Sequence, residues 1–154
     1  MPLGYMDSSM FVLDNLCSPS AVIAFLHRHN LGYMAKHLEA HGIGGGQFGF
    51  LMALYHQDGI SQEELARMLM VNRATAARAV QKLESEGYIR REQDPSDKRA
   101  LRVYLTEDGY KLQEVVTQLS IRRREELFTG FSTEEQSTFL KLLEKMMDNA
   151  RGEK

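Results

Sequence analysis

The sequence predicts a mainly α-helical fold that carries one small β-hairpin. Three observations point there. Apolar residues recur at helical spacing over most of the chain, hydroxyl and amide side chains stand where helices must start, and one pair of short stretches reads as strand. The chain has 154 residues, 43% hydrophobic and 26% charged, enough to bury one core without metal or disulfide staples. That composition excludes long disorder, collagen and a disulfide scaffold.

Each element follows from its residues. Residues 1–16 mix polar and apolar side chains without clear punctuation. Ser18-Pro19 is a helix start, a hydroxyl N-cap before a proline at the first helical position. The first helix is expected over Pro19 to His41, ended by the glycine cluster at 42–46, and a second over Gly46 to Gln57. Ser61 followed by Glu64 is a capping box for a short helix ending near Met70. Asn72 caps the next helix, and Gly87 stops it after Glu86. Tyr88 to Arg91 reads as a strand, Asp94-Pro95-Ser96-Asp97 as a turn, and Leu101 to Leu105 as a strand of period two. Thr106 caps a helix to Phe128, and Ser132 with Glu135 opens a last one to about Ala150.

Short helix, tight turn, second helix, hairpin is the order of a winged helix-turn-helix, whose second helix enters the DNA major groove. The second helix suits that role. Ala76, Val80 and Leu83 share one face, while Arg73, Ala74, Ala77, Arg78 and Gln81 share the opposite one. Small alanines allow close approach of the backbone, and arginines pair with guanine edges or phosphates. Thr75 and Lys82 flank that face. Lys98 and Arg99 mark the hairpin tip, and the strands add Arg90, Arg91 and Arg102. Gln62 opens the first motif helix and is a candidate phosphate donor. From Ser61 to Arg102 there are nine Lys/Arg against seven Asp/Glu, a local net of +2 in a chain whose total is −2. Any nucleic-acid binding is therefore expected from this segment.

Leu65-Ala66 through Asn72, the stretch Ala76 to Glu84, and Gly87-Tyr88-Ile89-Arg90-Arg91 resemble the MarR family of transcriptional regulators. The hairpin carries the resemblance furthest. Asp94 to Ala100, then Val103-Tyr104-Leu105-Thr106 and Gly109, is similar to the family's Asp-x-Arg wing ahead of L-T-x-x-G. The resemblance implies one domain over 1–154, with a winged DNA-binding lobe at 46–105 and a helical dimerisation region made by 1–45 and 106–154. It places Arg99 in the minor groove and Asp97 as a brace for the wing, through a charge-assisted bond to a nearby arginine. It implies a homodimer on a pseudo-palindromic operator of double-stranded DNA, acting as a repressor. The apolar stripe Phe139, Leu140, Leu143, Met146 and Met147 then joins an intersubunit bundle rather than an intramolecular core. It also implies a small-molecule effector such as an aromatic acid, for which Arg28, His29 and Tyr33 are the candidate binding residues. Arg73-Ala74-Thr75 departs from the usual family pattern, so the operator sequence does not transfer.

Rival functions rest on thinner signals. Cys17 stands before the first helix, where a redox branch of the family carries its reactive thiol, but about three residues too early. His37 and His41 are one helical turn apart, with His27, His29 and His56 as candidate additions, yet no acid or cysteine cluster completes a metal site by spacing. A winged helix that serves only protein partners is a third alternative. The sequence carries no phosphate loop, nucleophile motif or paired carboxylates, so neither an enzyme nor a cofactor is expected. A lone cysteine, the absence of a signal-like N-terminus and the lack of a long apolar run point to the cytoplasm and away from membranes.

Overall fold

A computed structural model of the chain describes residues 18–152. Cys17 and the residues before it lie outside that range, so the expectations placed on them have no structural counterpart. The chain divides after Glu114 into two compact units.

In the first unit, helix α1 spans Pro19–Leu38 and continues as a 3-10 turn, Glu39–His41. The expected helix to His41 thus tightens in its last turn, where Gly42 takes a left-handed φ of 70° and its amide bonds to Glu39 O. Ser18 is the N-cap by backbone alone. Its carbonyl accepts from Ala21 and Val22, and its hydroxyl makes no capping bond. Helix α2, Gly45–His56, packs on α1. A Cβ built on Gly45 would overlap the Leu31 carbonyl. The glycine cluster therefore does more than end a helix, since it lets two helices approach backbone to backbone.

Strand β1, Ile60–Ser61, leads into helix α3, Gln62–Met68, and a turn leads into helix α4, Arg73–Ser85. Both motif helices start as the caps require. Ser61 Oγ accepts from Glu64 N at 3.1 Å while Glu64 Oε2 accepts from Ser61 N, and Asn72 Oδ1 accepts from Thr75 N at 2.8 Å. Strands β2, Ile89–Gln93, and β3, Leu101–Leu105, form the hairpin. The hairpin has a third partner that sequence patterning missed. β1 pairs antiparallel with β3, Ile60 opposite Val103, so the sheet order is β1-β3-β2. Ile89 faces Leu105 and Arg91 faces Val103 in the other pairing.

The core of this unit gathers Leu38, Leu51, Leu54, Leu65, Val80, Leu83, Ile89 and Val103, all essentially inaccessible to water. Helix α5, Glu107–Leu127, starts where Thr106 Oγ1 accepts from Gly109 N at 3.2 Å. In the second unit helix α6, Thr133–Arg151, starts on the capping box of Ser132 and Glu135. Among the described residues no helix is long and apolar enough to cross a membrane.

Candidate nucleic-acid interface

Helix α4 presents two faces. Ala76, Ala79, Val80 and Leu83 are buried, a stripe of spacing three and four that extends the expected set by Ala79. Arg73, Ala74, Arg78, Gln81 and Lys82 are exposed, and Thr75 and Ala77 are half-buried at the edge of that face. Arg78 Nη2 lies 3.4 Å from Thr75 Oγ1. Arg73 is not free. Its Nη2 donates to Glu63 Oε1 on α3 at 2.7 Å. Lys82 is tied to Glu86, one turn on.

The wing is built on acids. Asp94, buried just past β2, takes the Ser96 hydroxyl at 2.6 Å and its amide at 2.8 Å on Oδ1, and Arg102 Nε at 2.6 Å on Oδ2. The Ser96 bonds first, and then Arg102, hold its carboxyl down at about 2. Arg102 Nη1 also donates to Gly59 O at 2.9 Å, which ties the wing to the turn before β1. Glu84 on α4 accepts the Arg91 guanidinium at 3.0 and 2.5 Å and the Arg91 amide at 3.3 Å, and this pairing lowers its pKa. Asp97 behaves otherwise than expected. Its Oδ1 accepts the Arg99 backbone amide at 3.0 Å, and among the described residues it makes no ion pair. The carboxylate–guanidinium bond expected of Asp97 belongs to Asp94, because the turn directs Asp97 back along its own backbone.

This pairing sorts the nine cations between Ser61 and Arg102. Arg90, Arg91 and Arg102, expected to add basic charge to the wing, are matched to Glu92, Glu84 and Asp94. Arg67, Arg78, Lys98 and Arg99 make no ion pair among the described residues, and all four are exposed. Arg67 was not among the sequence candidates. The signal for it is its place after the buried pair Leu65-Ala66 on a short helix, which turns it outward.

Gln62, Glu63 and Arg73 line a cavity of about 230 Å³ with Arg99 and Leu101 of the wing. Gln62 Oε1 is buried with no hydrogen-bond partner among the described residues.

Arg28 and His29 are exposed on α1, and Tyr33 is half-buried. His29 stacks against Phe25 and Tyr33 against His37, with ring centroids 4.3 and 4.2 Å apart. His37 Nδ1 lies 2.8 Å from Tyr33 O. Among the described residues no three His, Cys, Asp or Glu side chains cluster to hold a metal ion.

Comparison with known proteins places this geometry. Residues 46–101 match the MarR family model. The HTH-type transcriptional regulator YybA of Bacillus subtilis (strain 168) is 36% identical over 104 residues, 68% of this chain and 69% of that protein. The chain belongs to the MarR family of transcriptional regulators. Two solved MarR structures extend the likeness. A MarR transcriptional regulator from Methanosarcina mazei Go1 shares 41% identity and a TM-score of 0.84, covering 86% of this chain and 96% of that one. A MarR family regulator from Listeria monocytogenes, solved in complex with a 26mer DNA, shares 26% identity and a TM-score of 0.79, covering 86% and 88%. The MarR span of 46–101 takes in each residue singled out on α3, α4 and the wing tip.

Proposed function

We propose that this MarR family regulator binds double-stranded DNA sequence-specifically as a homodimer in the cytoplasm and represses transcription from a pseudo-palindromic operator. The observation that carries the reading is the sorting of charge. Five of the nine cations from Ser61 to Arg102 are matched to acids, while among the described residues Arg67 on α3, Arg78 on α4 and Lys98 and Arg99 on the wing tip are left without a carboxylate. Unmatched exposed cations on both motif helices and the wing suit a polyanion.

Arg73, Ala74, Thr75, Ala77 and Arg78 face the major groove, with Arg78 free to pair with a guanine edge or a phosphate. Arg99 enters the minor groove and Lys98 meets phosphate. Lys82, held by Glu86, lies beside the major groove, and Gln62 contributes its amide N–H. Asp97 braces the tip through the Arg99 amide. The lobe at 46–105 reads DNA, and the regions 1–45 and 106–154 form the dimer. The exposed stripe of Phe139, Leu140, Leu142, Met146 and Met147 on α6 supports this, since covering it yields about 25 cal/mol per Å² of apolar surface. A small aromatic acid pairing with Arg28 between His29 and Tyr33 lowers DNA affinity by favouring the conformer that binds DNA less well.

Selection from a pool of random duplexes tests the reading. It should enrich a two-fold symmetric sequence with half-sites about one DNA turn apart, bound by a dimer in light scattering, and aromatic acids should weaken that binding less in Arg28→Ala. A pool that stays random overturns it.

A further inference from the structure

We propose that Glu63 is a specificity-determining residue of the DNA interface, whose carboxylate holds the Arg73 fork for a base edge and keeps it off the phosphates. The inference rests on the DNA-binding reading above. Arg73 is the first residue of α4 and Glu63 stands in the first turn of α3, so the 2.7 Å bond crosses the turn between the two motif helices. The two side chains are 84% and 69% exposed, which leaves the pair screened by water and of little value to folding. Its surroundings give it another use. Arg73 of the recognition helix and Arg99 of the wing line the same cavity, and Glu63 is the one acid in that lining.

The chemistry discriminates between two kinds of DNA acceptor. A guanidinium has five N–H donors, and spending one on Glu63 still leaves an edge with two parallel N–H groups. That edge fits O6 and N7 of guanine, and the carboxylate itself accepts from the N4 amine of cytosine. A phosphate is different. It brings negative charge toward Glu63, and an arginine already neutralised by a carboxylate releases few counterions on meeting it. An unpaired Arg73 would take any phosphate in reach and carry no sequence information. Glu63 therefore costs the protein general affinity and gives it discrimination, which makes it a positioning residue acting through Arg73.

The test uses the full chain, a duplex selected by the wild type from a random pool, and a scrambled duplex. Glu63→Gln should tighten binding to the scrambled duplex roughly fivefold per recognition helix and steepen its salt slope by about 1 per helix, the signature of one added phosphate contact. The gain on the selected duplex should be smaller, so the specificity ratio falls. Arg73→Ala should erase the effect of Glu63→Gln in the double variant, and Glu134→Gln, remote from the motif in sequence, should leave the ratio unchanged. Equal tightening on both duplexes, or tightening that survives Arg73→Ala, overturns the role of Glu63. A wild type that selects no sequence overturns the DNA-binding reading instead.

Discussion

Arg102 and Asp94 bond across the base of the wing at 2.6 Å, and the same guanidinium reaches back to the Gly59 carbonyl. The wing is thus fastened at its root and leaves its tip cations unpaired. Asp94 has its carboxyl held at about 2, below the usual aspartate value near 3.9. A depressed carboxylate stabilises the fold above its unfolded pKa and loses that contribution as pH falls through its folded one. Asp94→Asn should lower the thermal midpoint by a few degrees at pH 7. It should also flatten the loss of stability that the wild type shows between about pH 4 and pH 2. Thermal unfolding at several pH values checks both, and an unchanged acid limb would sink this assignment.

Gly109 is required by a close approach. A Cβ there would overlap the Tyr88 carbonyl, which already accepts the Thr106 amide at 3.0 Å, and the Gly109 carbonyl accepts the Tyr55 hydroxyl at 3.0 Å. Gly109→Ala should cost about 1–3 kcal/mol in urea unfolding, as overpacking does elsewhere. A cost within a few tenths of that of Gly46→Ala, where the space is open, would mean that the helix start yields easily.

Met70, in the turn between α3 and α4, has a left-handed φ of 53° and is 78% exposed. It is the one non-glycine residue with positive φ among the described residues. An L side chain pays about 1–2 kcal/mol in this region. Replacing it by glycine relieves that strain and sacrifices almost no packing, while adding roughly 0.5–1 kcal/mol of unfolded-chain entropy. Met70→Gly should therefore gain about 0.5 kcal/mol, and Met70→Val should lose more than 1 kcal/mol because its β-branch suits φ > 0 poorly. Chemical denaturation of both variants gives the sign.

Local rules read the helices well and read contacts between elements poorly. Ser61, Asn72 and Ser132 each capped the expected helix, because a cap depends on residues three apart. Strand β1 escaped notice because two residues carry no period. The guanidinium bond expected of Asp97 is made by Asp94, since two aspartates in one turn are equivalent until the backbone orients them. Sequence gives the number of charges but not their partners. Arg91 finds Glu84 and Arg73 finds Glu63 across a change of element, where sequence spacing has no meaning. Lys82 with Glu86 is the exception, a helical pair open to inspection.

The division between paired and unpaired cations makes a graded prediction. Arg78→Ala and Arg99→Ala should each cost about 1–3 kcal/mol on the selected duplex and relax its sequence preference. Lys98→Ala should weaken both duplexes alike and flatten the salt slope by about 1 per wing. Arg102→Ala should act mainly on stability, because its charge is already spent on Asp94. Competition titrations beside thermal unfolding separate these classes, and equal effects at Arg78 and Arg102 would contradict the sorting.

The most direct measurement is fluorescence anisotropy of the wild type and the Arg78→Ala, Arg99→Ala double variant on the duplex upstream of its own gene, against a scrambled duplex, with salt varied. The account predicts tight wild-type binding to the upstream duplex alone, falling steeply with salt, and loss of that preference in a variant that is still dimeric. Equal weak binding of both proteins to both duplexes would contradict it.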